Sequence, residues 1–468
     1  MKIKLTFLGG AQNVTGSQYL VEANNTKFLV DCGIYQERQF LERNWASFPV
    51  PLKSLNAILL THAHLDHCGL VPKLVREGFK GPIYATPATA EIAEITLMDA
   101  AKLQVEDAEF KRKRHEREGR EGPYPEMPLY TPDDAKASAA LFSRVGYEEV
   151  FAISDGIEAT FYDAGHILGS SMIRVRIWQG QEERTIVFPG DIGRWGKPML
   201  NDPTLFEEAD YVLVESTYGD RVLPSPDESA NELAEVINDT VKARGNIVIP
   251  SFALERTQEV LYYLNRLLIE NRMPHIMVFV DSPMAVSVTD VFEHHPELFD
   301  EDMLDLISRG RSPFRFQGLH LMRTVGESKA INHIAGTVII IAGSGMCTGG
   351  RIKHHLVANI SRPESTILFV GYQAENTLGR RIVDGAAEVR ILGQRHPVRA
   401  RVAQINGFSA HADQSELLRW LSAFKKPPRQ LFVIHGEANV AKRFAAIVRD
   451  KTGWEIAIPS YRDEVILE

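Results

Sequence analysis

A short histidine-rich stretch, Thr61 to His67 (THAHLDH), places three imidazoles and a carboxylate within six residues. Neutral imidazole nitrogens and carboxylate oxygens are preferred ligands of zinc and of similar divalent ions. His62 and His64 alternate along the chain, so both side chains point to one side if the backbone there is extended. Asp66 and His67 follow them and are placed to serve a second ion. A polar loop with surface histidines is the alternative interpretation of the same pattern.

The residues around this stretch indicate a loop between a strand and a helix. The apolar run Ala57–Leu60 predicts a buried strand before it, and Leu70–Val75 predicts a helix after it. His166 and Asp191 come just after the ends of two later predicted strands. A catalytic zinc ion takes about three to four protein ligands, so this set of side chains exceeds the need of one ion. The sequence therefore predicts two ions that share a carboxylate.

Length and composition indicate a globular protein of more than one domain. The chain has 468 residues, which exceeds the size at which a single hydrophobic core stops growing. No apolar run approaches the roughly 18–20 residues that span a bilayer, and the first residues lack the features of a secretory signal. We therefore expect a cytoplasmic protein with no membrane contact. The net charge of −9 restricts any anionic partner to a local basic patch or to a bound metal ion.

The cysteines suggest no additional chemistry. Cys32, Cys68 and Cys347 form neither a disulfide pattern nor a cysteine-type zinc site. Cys68 is adjacent to the histidine-rich stretch, but a small buried residue is the expected role.

The pattern of the sequence changes near residue 211. Strand and helix signals alternate through the middle of the chain, and apolar strands such as Asn246–Pro250 and Thr337–Ala342 are continuous. Continuous apolar strands that alternate with helices are typical of a parallel sheet covered on both faces. The middle of the chain is therefore predicted to form a separate α/β unit.

The order of Asp31, the HxHxDH stretch, His166 and Asp191 resembles that of the metallo-β-lactamase superfamily. The resemblance implies an α/β fold, namely an αββα sandwich with a metal site at its rim. It also implies ligands for two ions. The first ion would be bound by His62, His64 and His166, and the second by Asp66 and His67. Asp191 would bridge the two ions, and Asp31 would orient a ligand without touching a metal itself.

Three further motifs resemble the β-CASP branch of this superfamily, whose members include nucleases. They match at Glu215 in ESTYG, at His411 in FSAH and at His435 in VIHG. The resemblance implies that His411 is the general acid, that Glu215 orients it and that His435 completes the ligand shell of the second ion. Asp66 is expected to share in catalysis as a ligand. Taken singly, each of the three motif residues is also typical of a structural polar residue at a strand end, a helix start or an ion pair.

The β-CASP branch interrupts the lactamase-like domain with a second α/β domain that has a mostly parallel sheet. The resemblance implies a first part of the metallo-β-lactamase domain at residues 1–210, an inserted β-CASP domain at 211–385 and a C-terminal part of the first domain at 386–468. Histidine at the last motif resembles the RNA-acting members, whereas DNA-acting members tend to carry valine there.

Two stretches are predicted to hold RNA. The loop Gly343–Gly350 lies between a predicted strand and a helix, where glycines let backbone amides turn toward a phosphate. Six arginines from Arg380 to Arg401 predict a phosphate track. A tight turn without a ligand and surface arginines paired with acids elsewhere are the respective alternatives. The residues predicted to contact RNA are Ser344, Gly345, Met346, Arg351, Arg380 and Ser409.

Taken together, the motifs predict a ribonuclease that uses two zinc ions to hydrolyse phosphodiester bonds of single-stranded RNA. A hydrolase of DNA, thioesters or lactones with the same fold is the first alternative. A non-catalytic scaffold in an RNA-processing complex is the second, and the presence of every metal ligand disfavours it. Endonuclease and exonuclease action both fit this prediction, and a homodimer is compatible with it.

Overall fold

The computed structural model describes residues 1–122 and 124–468. The strands, in chain order, are β1 (Ile3–Gly9), β2 (Gln18–Ala23), β3 (Thr26–Val30), β4 (Ala57–Leu59), β5 (Ile83–Ala85), β6 (Phe142–Arg144), β7 (Val150–Ser154), β8 (Ile157–Asp163), β9 (Ser171–Gln179), β10 (Glu182–Phe188), β11 (Tyr211–Glu215), β12 (Ile247–Pro250), β13 (Met277–Val280), β14 (Leu319–Leu321), β15 (Val338–Ala342), β16 (Thr366–Val370), β17 (Glu388–Ile391), β18 (Gln394–Pro397), β19 (Arg401–Ile405), β20 (Gln430–Ile434), β21 (Ile456–Ala457) and β22 (Glu464–Leu467).

The α-helices, in chain order, are α1 (Leu65–Cys68), α2 (Val71–Arg76), α3 (Pro87–Glu118), α4 (Pro132–Ala139), α5 (Pro226–Ala243), α6 (Arg256–Ile269), α7 (Pro283–His294), α8 (Glu301–Ser308), α9 (Val325–Ile331), α10 (Ile352–Asn359), α11 (Leu378–Val383), α12 (Gln414–Ser422) and α13 (Ala438–Thr452). Short 3-10 helices occupy Arg38–Trp45, Leu52–Ser54 and Pro296–Leu298.

The chain folds into two compact units. The first unit comprises Met1–Trp195, Asp202–Val222 and His411–Glu468, and the second comprises Gly196–Asn201 and Leu223–Ala410. These boundaries differ from the division after residues 210 and 385 that the sequence suggested.

Strand pairing accounts for both differences. β11 pairs in parallel with β10 and with β20, so residues 211–215 stay in the first unit. β19 pairs in parallel with β16, from Thr366 opposite Arg401 to Val370 opposite Ile405. The sheet of the second unit therefore keeps residues that the sequence assigned to the C-terminal part of the first domain.

The first unit is built on two seven-stranded sheets, with strand orders β22-β1-β2-β3-β4-β5-β6 and β21-β20-β11-β10-β9-β8-β7. A hydrophobic core lies between them and includes Phe7 and Phe28 from the first sheet and Phe161 and Phe432 from the second, all fully buried. The other face of the second sheet is covered by α12 and α13, and on the first sheet α3 lies against β6. The predicted αββα sandwich is confirmed.

The second unit contains a six-stranded sheet of order β14-β13-β15-β12-β16-β19. Its strand pairs are parallel, and β15 and β16 are buried along their whole length. Helices cover such a sheet on both faces, which is why its strands are continuously apolar. The parallel sheet predicted for the middle of the chain is therefore confirmed.

A buried ion pair fixes the segment Gly196–Asn201 within the second unit. Nζ of Lys197 lies 2.8 Å from Oε1 of Glu255, and both side chains are about 3% exposed. Among the helices of residues 1–122 and 124–468, none combines the length and the apolar composition that crossing a membrane requires.

Candidate metal centre

The histidine-rich stretch lies between a strand and a helix, as the sequence predicted. β4 ends at Leu59 and α1 begins at Leu65. His64 precedes α1 with an extended backbone, at φ −66° and ψ 145°. The loop therefore delivers two imidazoles to one place, where Nε2 of His62 lies 3.0 Å from Nδ1 of His64.

Four donor atoms form a first cluster in the first unit. His166 follows β8, and Asp191 follows β10. Nε2 of His166 lies 3.3 Å from Nδ1 of His64. Oδ2 of Asp191 lies 3.4 Å from Nε2 of His62 and 3.5 Å from Nε2 of His166. The four ligand atoms lie within 4.8 Å of one another, which is the arrangement that one divalent ion requires of its ligands.

Three further donors form a second cluster beside the first. α1 turns Asp66 and His67 toward the end of β20, where His435 follows the last strand residue. Nε2 of His67 lies 3.1 Å from Nε2 of His435, although the two residues are 368 positions apart. Oδ2 of Asp66 lies 3.5 Å from Nε2 of His435 and 4.0 Å from Nε2 of His67.

Asp191 joins the two clusters. Its Oδ2 atom faces the first cluster, whereas its Oδ1 atom lies 3.4 Å from Nε2 of His67 and 3.5 Å from Nδ1 of His435. Oδ1 is buried and accepts no hydrogen bond from the described residues. A buried carboxylate oxygen without a donor is costly unless a cation is bound to it. The donor set and this oxygen therefore fit bound metal ions.

Asp31 lies behind the second cluster and orients His67. Its Oδ2 atom lies 2.7 Å from Nδ1 of His67, which leaves Nε2 of that ring to face the cluster. Oδ1 accepts the backbone N–H of Thr61 at 2.8 Å, and the hydroxyl of Thr61 lies 3.0 Å from Oδ1 and 2.8 Å from Oδ2. Asp31 itself has φ 58°, a conformation that Asp tolerates better than most residues. The sequence predicted this role for Asp31 but missed Thr61, although Thr61 directly precedes the first histidine.

The electrostatics favour the metal-binding protonation states at the first cluster but not at both histidines of the second. Burial lowers the pKa of His62 to about 3 and that of His64 to about 4, so both imidazoles are neutral at pH 7. Burial alone would raise the pKa of Asp191, but the neighbouring His435 and His67 outweigh it and hold that pKa well below its usual range. Burial lowers the pKa of His67 and of His435, but the neighbouring carboxylates, Asp191 foremost, outweigh it and raise both. Metal ligands in proteins are neutral imidazoles and ionised carboxylates, which are the states that His62, His64 and Asp191 adopt, whereas His67 and His435 release a proton when a metal binds.

A histidine and a glutamate lie next to the first cluster. Glu215 ends β11 and is fully buried, and its Oε1 atom accepts the backbone N–H of Ile192 at 2.7 Å. Nδ1 of His411 lies 3.0 Å from Oε2 of Glu215 and 3.9 Å from Oδ2 of Asp191. Burial lowers the pKa of His411, but the carboxylates of Glu215 and Asp191 outweigh it and raise the pKa to about 9. The side chain of His411 is 22% exposed, so it is accessible to a substrate.

The residues predicted to contact RNA lie in the second unit, and several of them form hydrogen bonds with other residues of that unit. The hydroxyl of Ser344 accepts the backbone N–H groups of Thr348 and Gly349 at 3.0 and 3.4 Å. The carbonyl of Met346 accepts the N–H of Gly379 at 3.2 Å. Ser409 is buried, and its N–H donates to the carbonyl of Gly407.

Arg351 has internal partners that the sequence did not reveal. Its Nη1 atom lies 2.6 Å from Oδ1 of Asp281, and its Nη2 atom donates to the carbonyl of Arg323 at 2.9 Å. Oδ2 of Asp281 lies 2.6 Å from Nε2 of His355. These contacts fix the start of α10 beneath the glycine-rich loop, and they give Arg351 a structural role that the sequence missed.

The predicted arginine track is also largely paired within the second unit. Four of its arginines have internal partners, which are Asp384 for Arg380, the carbonyl of Gly393 for Arg390, Glu388 for Arg395 and Asp239 for Arg401. Exposed ion pairs of this kind contribute little stability. An arginine therefore loses little when it leaves its acidic partner to contact a phosphate. Arg381 and Arg399 are exposed and have no such partner among the described residues.

Comparison with protein-family models identifies three matching regions. Residues 12–250 match the metallo-beta-lactamase superfamily, residues 257–382 match the Beta-Casp domain, and residues 395–459 match the Zn-dependent metallo-hydrolase RNA specificity domain. The third region spans the end of the second unit and much of the C-terminal part of the first.

Several curated proteins are similar over nearly the whole chain. Ribonuclease TTHA0252 of Thermus thermophilus is 39% identical over 435 residues, which cover 93% of each chain. Transcription termination factor FttA of Methanocaldococcus jannaschii is 30% identical over 476 residues, which are 99% of this chain and 71% of that protein. FttA of Pyrococcus horikoshii is 31% identical over 485 residues, with the same coverage.

A solved structure shares the fold at low sequence identity. A protein of unknown function from Enterococcus faecalis aligns over all of both chains with a TM-score of 0.56 and 11% sequence identity. At this identity the similarity concerns the fold alone.

Proposed function

The chain belongs to the metallo-β-lactamase superfamily, in the branch that carries β-CASP and RNA-specificity domains, and on this premise we propose that it is a zinc-dependent ribonuclease. Membership confirms the family that the motifs predicted. The relatives include a ribonuclease and a transcription termination factor. A metal-dependent nuclease that acts on RNA is the function that fits both the family and the site.

One observation carries the proposal. The carboxylate of Asp191 lies between two ligand clusters and turns one oxygen to each, and the oxygen that faces the second cluster has no hydrogen-bond donor among the described residues. We propose that the two clusters hold two zinc ions with Asp191 as the bridge. The ions would bind to His62, His64 and His166 on one side and to Asp66, His67 and His435 on the other. Imidazole-rich sets with carboxylates suit zinc.

When bound, such ions lower the pKa of a coordinated water to about 7 and neutralise charge on phosphate oxygens. The remaining chemistry falls to the residues of the chain. Glu215 contacts the Nδ1 side of His411, and we propose that the Nε2 side of that ring faces the substrate. We propose that His411 donates the proton on Nε2 to the leaving oxygen of the cleaved phosphodiester. A positioned acid of this kind contributes about 10²–10⁴-fold to the rate.

RNA is the proposed substrate rather than DNA or a small molecule. Histidine occupies the last motif as His435, and residues 395–459 match a domain described by its RNA specificity. A hydrolase of small thioesters or lactones has no need of an inserted domain with its own parallel sheet. The homodimer and the cytoplasmic location stay predictions from the sequence.

The test is cleavage of end-labelled single-stranded RNA and of DNA of the same sequence, with and without a chelator and after zinc is added back. We expect zinc-dependent cleavage of the RNA and much slower cleavage of the DNA. The variant His411→Ala should lose about 10²-fold or more, whereas the exposed control His333→Ala should keep its rate. RNA cleavage that survives complete metal removal would refute the proposal, and equal rates on DNA and RNA would refute the choice of RNA.

A further inference from the structure

Two large aromatic side chains are exposed at one edge of the parallel sheet in the second unit. Phe252 is 45% exposed and Tyr372 is 46% exposed. Phe252 lies two residues beyond the end of β12, and Tyr372 lies two residues beyond the end of β16. Binding sites in parallel α/β sheets lie beyond the carboxyl ends of the strands, so both rings occupy the edge where a ligand is expected.

The two strands that lead to these residues are neighbours in the sheet. β12 pairs in parallel with β16, with Ile247 opposite Thr366 and Val248 opposite Ile367. The carboxyl ends of these two parallel strands lie at the same edge of the sheet, and one of the two aromatic residues follows each end.

The glycine-rich loop holds Phe252 in place. A Cβ atom on Gly345 would lie 2.8 Å from Cδ2 of the Phe252 ring and 3.1 Å from the backbone nitrogen of Phe252. Only a glycine lets the loop lie this close to the ring. The glycine at position 345 is therefore better explained by its close packing against Phe252 than by direct phosphate binding.

Gln373 ties Tyr372 to the same loop. Its buried amide nitrogen donates to the carbonyl of Gly345 and to the carbonyl of Tyr372, both at 3.1 Å. Its Oε1 atom lies only 1.9 Å from the position that a Cβ on Gly379 would take, so α11 is packed directly on this amide. The backbone that carries Tyr372 is therefore tied to the loop that packs against Phe252.

We propose that Phe252 and Tyr372 form a stacking platform for the bases of single-stranded RNA, an inference that rests on the proposed ribonuclease function. Proteins that hold single strands combine aromatic rings for the bases with arginines for the backbone phosphates. Arg380 and Arg381 of α11, the helix that follows Tyr372, supply such charges, and the pair of Arg380 with Asp384 is exposed. Stacking tolerates any base, so the platform binds RNA with little sequence preference.

The test measures binding of a fluorescein-labelled oligouridylate to the zinc-loaded full chain in a His411→Ala background, which slows cleavage. Phe252→Leu and Tyr372→Leu keep apolar bulk but remove the π face, and each should weaken binding by about five- to 150-fold. Tyr372→Phe keeps the ring and should bind like the parent. Leu304→Ala, which removes another exposed apolar side chain of the second unit, is the matched control. Thermal unfolding of each variant reports whether it is folded.

Two further measurements separate stacking from phosphate contact. The two leucine variants should keep the slope of log affinity against log salt, whereas Arg381→Ala should reduce it by about 0.7. An oligonucleotide that lacks bases should bind the parent and the leucine variants equally. Leucine variants that bind the intact RNA like the parent refute the platform, even where the wild type cleaves RNA. A wild-type chain that neither binds nor cleaves RNA refutes the proposed function and the platform with it.

Discussion

Replacing Asp31 by Asn should weaken metal binding at the second cluster without emptying the first. Asp31 accepts hydrogen bonds on both oxygens, with Thr61 on Oδ1 and Nδ1 of His67 on Oδ2. An amide keeps the shape of the carboxylate but offers only one acceptor. If the amide oxygen stays on Thr61, the NH₂ group faces Nδ1 of His67 and forces the ring proton onto Nε2. Nε2 is the atom that lies 3.1 Å from Nε2 of His435, so a proton there blocks the ligand position.

The opposite amide orientation is no better. The oxygen then faces His67, but the NH₂ group meets the N–H of Thr61, donor against donor, in a place with about 1% exposure. Either orientation leaves one buried polar contact unmade, which costs about 1–3 kcal/mol. At 1.4 kcal/mol for each tenfold change, the affinity of the second site should fall by about five- to 150-fold. Loss of a residue that orients a metal ligand typically costs about 10–100-fold, in agreement with this value.

The assay is a zinc titration of the metal-free chain in competition with a chromophoric chelator. The wild type should show two strong sites, and Asp31→Asn should show one strong site and one weakened site. Asp210→Asn is the matched control, because Asp210 also accepts a backbone N–H in the first unit, that of Thr185, and pairs with Arg429. An Asp31→Asn variant that binds two zinc ions as tightly as the wild type would show that the orientation of His67 does not matter.

Three other perturbations have defined outcomes. Glu215→Gln keeps the contact with Ile192 but removes a charge that helps to raise the pKa of His411 to about 9. Because a general acid acts only while protonated, the alkaline limb of the pH–rate profile should move about one to three pH units lower. An unchanged alkaline limb would contradict the assignment of His411 as the acid. Glu255→Gln leaves Lys197 buried beside a neutral group and should lower the free energy of unfolding, measured by denaturant titration, by about 3–5 kcal/mol. Replacing both Lys197 and Glu255 by Met should recover most of that stability. An equal loss of stability in the single and the double variant would argue against the ion pair. Gly345→Ala should displace the ring of Phe252 and weaken RNA binding as much as Phe252→Leu does. The variant with both changes should bind RNA no more weakly than either single variant. A Gly345→Ala variant that binds RNA with wild-type affinity would mean that Gly345 does not position the ring.

The sequence predicted which residues gather into the two clusters because these residues are local or lie in strong motifs. The strand before the stretch Thr61 to His67 and the helix after it fix where that loop lies in the fold. The contributions of His411 and His435 depend on tertiary structure, because nothing near either residue in the chain indicates that it approaches the cluster. Their positions were predicted from resemblance to a family, and the structure then places both rings beside Asp191.

The sequence was less informative wherever a partner lies far along the chain. Arg351 looked free to bind a phosphate, yet Asp281, 70 residues earlier, holds its guanidinium. Gly345 was interpreted as part of a phosphate loop, whereas the ring of Phe252 lies only 2.8 Å from where a Cβ atom on Gly345 would be, a proximity that only the pairing of β12 with its neighbours reveals. The predicted boundary at residue 385 differs from the limit of the compact second unit, because the pattern of β19 does not indicate which sheet it joins.

The central claim is that two ions, shared through Asp191, are required for RNA cleavage. The most direct measurement is the single-turnover rate of RNA cleavage as zinc is added in steps to the metal-free chain. The rate should rise until two equivalents per chain are bound and then stay constant, and Asp191→Asn should remain almost inactive throughout. A rate that saturates at one equivalent, or full activity without metal, would contradict the account.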